Sequence, residues 1–194
     1  TTMNTKNYIL FDLDGTLTDP GIGITNSVMY ALKHFGIEVK ERNQLYKFIG
    51  PPLLESFKTF YGFSDEQAQE GLKYYRTYYA DKGIFENSVY EGIEDLLCAL
   101  KRAGKKVMMA TSKPEPFAIQ IMKHFNLDGY FDFIGGSTLD EMRTNKAEVI
   151  QYVLDSYNVR DLGKTVMVGD REYDILGAKK CKLASIGICY GYGS

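Results

Sequence analysis

Apolar residues follow two rhythms along the chain. Near the start, Tyr8-Ile9-Leu10-Phe11 is a short unbroken apolar run. It is too short for a helix and suits a strand buried on both faces. From Ile24 to about Asn87 the spacing turns helical. Helices are predicted over 24–35, 41–48, 53–61 and 65–82, with breaks at Gly36, Gly50-Pro51-Pro52, Gly62 and Gly83. Ser64, ahead of Asp65-Glu66-Gln67, predicts an N-cap with acids in the first turn. No strand is evident in this stretch. From Tyr90 onward helix and strand patterns alternate: helix 92–103, strand 106–110, helix 115–125, strand 131–134, helix 146–157, strand 165–168, helix 173–180 and strand 184–188. Such alternation predicts an α/β fold, a parallel sheet with right-handed crossovers. The first strand makes this a five-stranded core interrupted by an all-helical insert. The expected organisation is a core of residues 1–17 and 88–194 and a helical domain of residues 18–87.

Composition narrows the classes of function. A chain of 194 residues can bury about 70% of its unfolded surface and needs no staple. The formal net charge of −2 argues against a nucleic-acid polymer as partner. Cys98, Cys181 and Cys189 are odd in number and lack Cys-x-x-Cys spacing. They fit a reducing compartment and no metal–thiolate site, with Cys98 reading as a small core residue. No apolar stretch approaches a membrane span, and no signal-peptide core is present. The expectation is a cytoplasmic protein with no membrane partner. His34 and His124 each stand in Lys-His-Phe before a helix end, where a cation complements the helix dipole.

The polar residues that interrupt the apolar runs carry the candidate chemistry. Asp12 and Asp14 follow the first run at i, i+2, and Gly15-Thr16 comes next. Strand alternation sends both carboxylates to one side. The carboxyl end of a parallel strand is where open α/β sheets bind ligands. Like charges this close are costly unless a cation or a shared proton relieves them. Read alone, the segment also fits a solvated turn. A second apolar run, Val107 to Ala110, ends in Thr111-Ser112. Lys146 opens a helix, and a third run, Val166-Met167-Val168, ends in Gly169-Asp170 with Asp174 four residues on. Singly, Thr111 fits a plain strand end, Lys146 a solvated helix start and Asp170 an N-cap.

Together and in this order, these segments resemble the four motifs of the haloacid-dehalogenase-like phosphohydrolases. The resemblance spans Tyr8 to Gly193. It implies a Rossmann-like core with a small helical cap of the C1 type inserted between the first and second motifs. It also implies one more strand and a helix after Tyr190-Gly191-Tyr192-Gly193-Ser194, so the sequence reads as lacking them. The phrase Gly136-Ser137-x-Leu139-Asp140-x-x-Arg143-x-x-Lys146-Ala147-Glu148 is similar to a bacterial 5′-nucleotidase-like subgroup, near the phosphoglycolate phosphatases. The proline that many relatives carry after the third-motif lysine is absent.

The resemblance assigns roles. Asp12 is the nucleophile, forming an aspartyl-phosphate, and Asp14 is the general acid and base. Thr111 and Ser112 hold phosphate oxygens, and Lys146 neutralises the transferring charge. Mg²⁺ is the implied cofactor, held by Asp12, Asp170 and a backbone carbonyl near Asp14, with Asp174 supporting the metal or Lys146. Gly50, Pro51 and Pro52 form a loop that in relatives reaches over the active site. The implied partner is a small phosphorylated metabolite, and the implied state a monomer or weak homodimer. The implied reaction is hydrolysis of a phosphomonoester. Rivals are a phosphosugar mutase with the same motifs and a catalytically silent binding or regulatory protein. A dehalogenase is disfavoured because that branch lacks the second aspartate. Tyr74, Tyr75, Tyr78 and Tyr79 form i, i+4 pairs that read as packing between helices, with base stacking as the alternative.

Overall fold

The structure, a computed structural model, describes residues 2–193; Thr1 and Ser194, assigned above to the core, lie outside the described residues. Tyr8–Phe11 forms β1, in which Ile9, Leu10 and Phe11 are fully buried. Then come β2 (Thr18–Asp19), α1 (Gly21–Lys33), α2 (Leu53–Tyr61), α3 (Asp65–Asp81) and β3 (Ser88–Val89). The rest alternates: α4 (Ile93–Arg102), β4 (Lys106–Pro114), α5 (Glu115–His124), β5 (Phe133–Ser137), α6 (Lys146–Ser156), β6 (Thr165–Gly169), α7 (Glu172–Lys180) and β7 (Ala184–Gly187). No helix among the described residues is long and apolar enough to cross a membrane.

The main sheet has five parallel strands in the order β5-β4-β1-β6-β7. This is the expected α/β architecture. β1 lies in the middle, and Phe11 stands opposite both Met109 of β4 and Val168 of β6. The three central strands are thus aligned where β1 and β6 end, which brings the residues that follow them and the last part of β4 to one edge. Leu10, Met108 and Met167 pack with Val149, Ile150 and Val153 of α6 and Ala178 of α7 in the core.

The chain divides into two compact units. One comprises the chain up to Asp19 together with the chain from Val89 onward, and contains the sheet. The other, Pro20–Ser88, is helical. Its interior is ring-rich: Phe57 stacks on Phe63 with centroids 5.6 Å apart, and Tyr75 stacks on Tyr79 at 5.4 Å. Tyr74 stacks on His34 at 3.8 Å, and the Tyr78 hydroxyl donates to Glu86 at 2.8 Å. The four tyrosines thus contact residues of their own unit, in accord with the packing role. Ser64 caps α3 in a reciprocal box with Gln67.

Several elements depart from the expected ones. Residues 42–48 form a tighter 3-10 helix instead of an α-helix. Its buried residues, Leu45 and Phe48, are three apart, the period of that tighter winding. α1 begins at Gly21, earlier than the apolar spacing indicates. Within it, the chain at Gly83 lies so close to Gly23 that any Cβ there would strike the Gly83 carbonyl. β4 runs past Ala110 to Pro114 with a register shift, since pairing to β5 continues after the apolar run ends. β5 starts at Phe133, because residues 128–130 form a 3-10 turn, and runs on to Ser137. Cys98 is only half-buried, and Cys181 is the buried cysteine.

Candidate active site

The site begins where β1 ends. Asp12 extends the pairing with β6 by donating its N–H to the Val168 carbonyl at 2.9 Å. The chain then turns: Thr16 and Leu17 donate back to the Leu13 carbonyl, and Gly15 adopts a φ of 84°. Asp12 and Asp14 are both buried. Asp170 follows β6, and Asp174 lies in the first turn of α7, where its Oδ2 accepts the Arg171 N–H at 3.1 Å. Oxygen atoms of Asp12, Asp170 and Asp174 all come within 4.8 Å of one another.

Two buried lysines face these carboxylates. Asn145 caps α6 by accepting the Ala147 N–H, which sets Lys146 at the first helical position. Its ammonium lies 2.8 Å from Asp12 Oδ1, 2.8 Å from Asp174 Oδ1 and 3.0 Å from the Ala110 carbonyl. The amine thus donates hydrogen bonds to Asp12 and to the Ala110 carbonyl and forms an ion pair with Asp174. Lys113 stands near the end of β4, with Nζ 3.2 Å from Asp14 Oδ2. The other oxygen, Asp14 Oδ1, is buried and accepts no hydrogen bond among the described residues.

Four buried carboxylates against two ammonium groups leave the cluster electron-rich. Burial pushes the Asp12 carboxyl well above the usual carboxylate range; Asp174 and Asp170 add to this, and Lys146 opposes it. Burial also raises Asp14, against the pull of Lys113. For Lys146, burial works to lower the ammonium, but Asp12 and Asp174 outweigh it and hold it above the ordinary lysine range. The oxygens of Asp12, Asp170 and Asp174 are all hard donors and carry surplus negative charge. They fit a small divalent cation of the Mg²⁺ type.

Of the residues singled out in the sequence, Asp12, Asp14, Lys146, Asp170 and Asp174 come together through these contacts. The carboxylates that gather are Asp12, Asp170 and Asp174, whereas the Asp14 carboxylate turns to Lys113. Thr111 is buried at the end of the neighbouring strand, and its Oγ1 accepts the Lys113 N–H at 3.1 Å. The Ser112 hydroxyl donates to the Thr144 carbonyl at 2.9 Å, which leaves its backbone as the candidate phosphate contact. Gly50, Pro51 and Pro52 belong to the helical unit, ahead of α2.

Sequence reasoning missed two contributors. Lys113 is one; its signal was its place two residues after Thr111, on the same side of an extended chain. The other is the segment 190–193. The Tyr192 N–H donates to Asp170 Oδ2 at 2.7 Å, and the Tyr190 hydroxyl to the Thr16 carbonyl at 2.6 Å. A Cβ at Gly191 would collide with the Gly15 carbonyl and the Asp170 side chain, so only glycine permits this approach.

A family model described as haloacid dehalogenase-like hydrolase matches residues 9–188. The chain belongs to that family. The haloacid dehalogenase-like assignment makes it an enzyme, and relatives agree over nearly its full length. It is 47% identical to a 5′-nucleotidase of Pseudomonas aeruginosa over 186 residues, 96% of this chain and 84% of that protein. It is 38% identical to the tyrosine-protein kinase PtkA of Mycobacterium tuberculosis, across 95% of this chain and 62% of the kinase. The crystal structure of a predicted phosphatase from Clostridium acetobutylicum superposes with a TM-score of 0.95 at 51% identity, covering 97% of this chain and 87% of that one.

Proposed function

We propose that the protein is a Mg²⁺-dependent phosphatase that hydrolyses a small phosphomonoester, of the nucleoside 5′-monophosphate or phosphoglycolate kind, through an aspartyl-phosphate on Asp12. The observation that carries this is the pair of buried carboxylates after β1, each held by its own buried lysine. Lys146 fixes Asp12 Oδ1 and so orients the carboxylate toward an incoming phosphorus. A carboxylate oxygen of Asp12 bonds to phosphorus, and the ester P–O bond breaks. Its electron pair goes to the leaving oxygen, which takes a proton from Asp14. Water then attacks phosphorus and gives its proton to Asp14, and the bond to Asp12 breaks. The alcohol and inorganic phosphate leave, and both carboxyl groups are restored. Asp12 and Asp170, with Asp174 beside them, would hold Mg²⁺, which when bound screens the charge between carboxylate and phosphate.

Thr111 and the backbone around Ser112 would receive phosphate oxygens in this reading. Gly50, Pro51 and Pro52 would govern substrate choice, so Pro51→Ala should re-rank substrates while sparing Mg²⁺ binding. The deciding experiment is phosphate release from a panel of phosphorylated metabolites with Mg²⁺. Release from a subset supports the reading. Conversion of a hexose 1-phosphate to its 6-phosphate identifies the mutase instead, and label passing from ATP to a protein tyrosine identifies a kinase like PtkA. No turnover with any of these identifies a silent binding protein.

A further inference from the structure

We infer that Lys113 is the positioning residue for Asp14, fixing Oδ2 so that Oδ1 is the oxygen that gives and takes the proton. The inference rests on the phosphatase reading and deepens it. Lysine is seldom buried this far, and an ammonium taken from water needs a charged partner. The Lys113 side chain is 6% exposed and its Asp14 partner 7%, with Nζ and Oδ2 3.2 Å apart.

Both ends of this pair are anchored in backbone. On one side, the Lys113 N–H is bound by the Thr111 hydroxyl, Ser112 is tied to Thr144, and Pro114 pairs with Ser137 before α5 begins. On the other, Asp14 is bridged to Thr18, and Gly15 donates its N–H to the Thr18 carbonyl at 2.8 Å. The two roots are thus held, and the contact between them sets the turn of the carboxylate. Oδ2 is occupied by the ammonium, while Oδ1 is buried and accepts no hydrogen bond among the described residues. A buried acceptor left in that state calls for a partner that arrives with the substrate. The pairing also divides labour between the lysines: Lys146 serves Asp12 and Asp174, and Lys113 serves Asp14. In the first half-reaction the Oδ1 proton goes to the ester oxygen as the P–O bond breaks. In the second, Oδ1 takes a proton from the water that bonds to phosphorus.

The test is first-turnover kinetics of Lys113→Met with Mg²⁺ on two substrates. One is p-nitrophenyl phosphate, whose leaving group departs without a proton. The other is the alkyl phosphate that the wild type cleaves fastest, whose alcohol must be protonated. General acid catalysis is worth about 10²- to 10⁴-fold; misplacing the acid should slow alcohol release about 10- to 100-fold and p-nitrophenolate release less than about 3-fold. In an Asp14→Asn background the same substitution should add less than about 3-fold to either loss. Equal losses on both substrates, or an undiminished loss beside Asp14→Asn, overturn the inference and leave Lys113 a structural residue. Should Lys113→Met melt below the assay temperature, Lys113→Gln is held to the same two outcomes. A wild type that cleaves neither substrate overturns the phosphatase reading and this inference with it, whereas an active wild type with uniform losses overturns this inference alone.

Discussion

In the sheet-bearing unit, Asp12, Asp14, Lys113, Lys146, Asp170 and Asp174 are all buried. In Pro20–Ser88 the buried polar residues among those described are Thr25, Ser27 and Ser56, and each hydroxyl donates to a carbonyl one turn back. Stacked rings and aliphatic residues such as Val28, Leu32 and Leu45 fill the rest of its core. In the helical unit these three buried hydroxyls are thus satisfied from within. In the sheet unit the buried groups are charged, and the carboxylate cluster keeps surplus negative charge and an Asp14 oxygen without a donor among the described residues. Local conflict of this kind is tolerated where a fold serves a ligand. The contrast separates residues that hold the molecule together from residues proposed to meet a cation and a phosphate.

The largest expected effect on this contrast is metal removal. EDTA should abolish phosphate release and Mg²⁺ restore it, while Ca²⁺, with its looser and higher coordination, should inhibit. Full activity after thorough stripping would break the comparison, since the surplus charge would then have no use. Next is Asp12→Asn, which keeps the shape of the site but removes the carboxylate proposed as nucleophile. Turnover should fall at least ~10³-fold with the fold intact; near-wild-type turnover refutes the role.

In the helical unit the loss should fall on stability. Tyr79 is 2% exposed and stacked on Tyr75, so Tyr79→Ala should cost about 3–5 kcal/mol by denaturant melting and leave Mg²⁺ affinity unchanged. A tyrosine variant in this unit that stays folded, keeps phosphoglycolate turnover and loses only nucleotides would reverse the assignment to packing.

The smallest effect sharpens the contrast through pH. Folding raises the Asp12 carboxyl above its unfolded range, so the metal-free folded protein keeps a proton that the unfolded chain has lost. Stability from this group is present below the ordinary carboxylate range and falls as pH climbs through and above it. Lys146, also raised, contributes stability that is lost only in strong alkali and does not bend this window. In EDTA, the melting temperature of Asp12→Asn relative to wild type should rise from pH 4 toward neutrality, and saturating Mg²⁺ should remove the trend. A flat difference in EDTA would mean that the carboxylate is not destabilising the fold.

Much of the sheet unit was legible in the sequence because short apolar runs between helical periods leave few other arrangements. Asp12, Lys146 and Asp170 were legible because each follows or opens such an element. Lys113 was not. A lysine is polar by default, and its burial depends on Asp14, which is distant in sequence and adjacent only after β1 and β4 pair. The grip of Tyr192 on Asp170 is a backbone contact and leaves no trace in side-chain pattern. Within the helical unit, the need for glycine at position 23 depends on Gly83 lying beside it, and the tight turn at residues 42–48 on which side chains found cover. Local spacing contains neither fact.

The central place of β1 bears on how the protein is made. Its four residues emerge from the ribosome before either neighbour, since β4 and β6 are encoded far downstream. At synthesis rates of about 5–20 residues per second, the interval before Thr165–Gly169 appears is on the order of ten seconds. Throughout it, Tyr8-Ile9-Leu10-Phe11 is an apolar strand lacking its full set of partners, the kind of segment that recruits other strands. Pro20–Ser88, a compact unit by its own contacts, is fully synthesised within that wait, while the strand that leads to Asp12 stays open to chaperones.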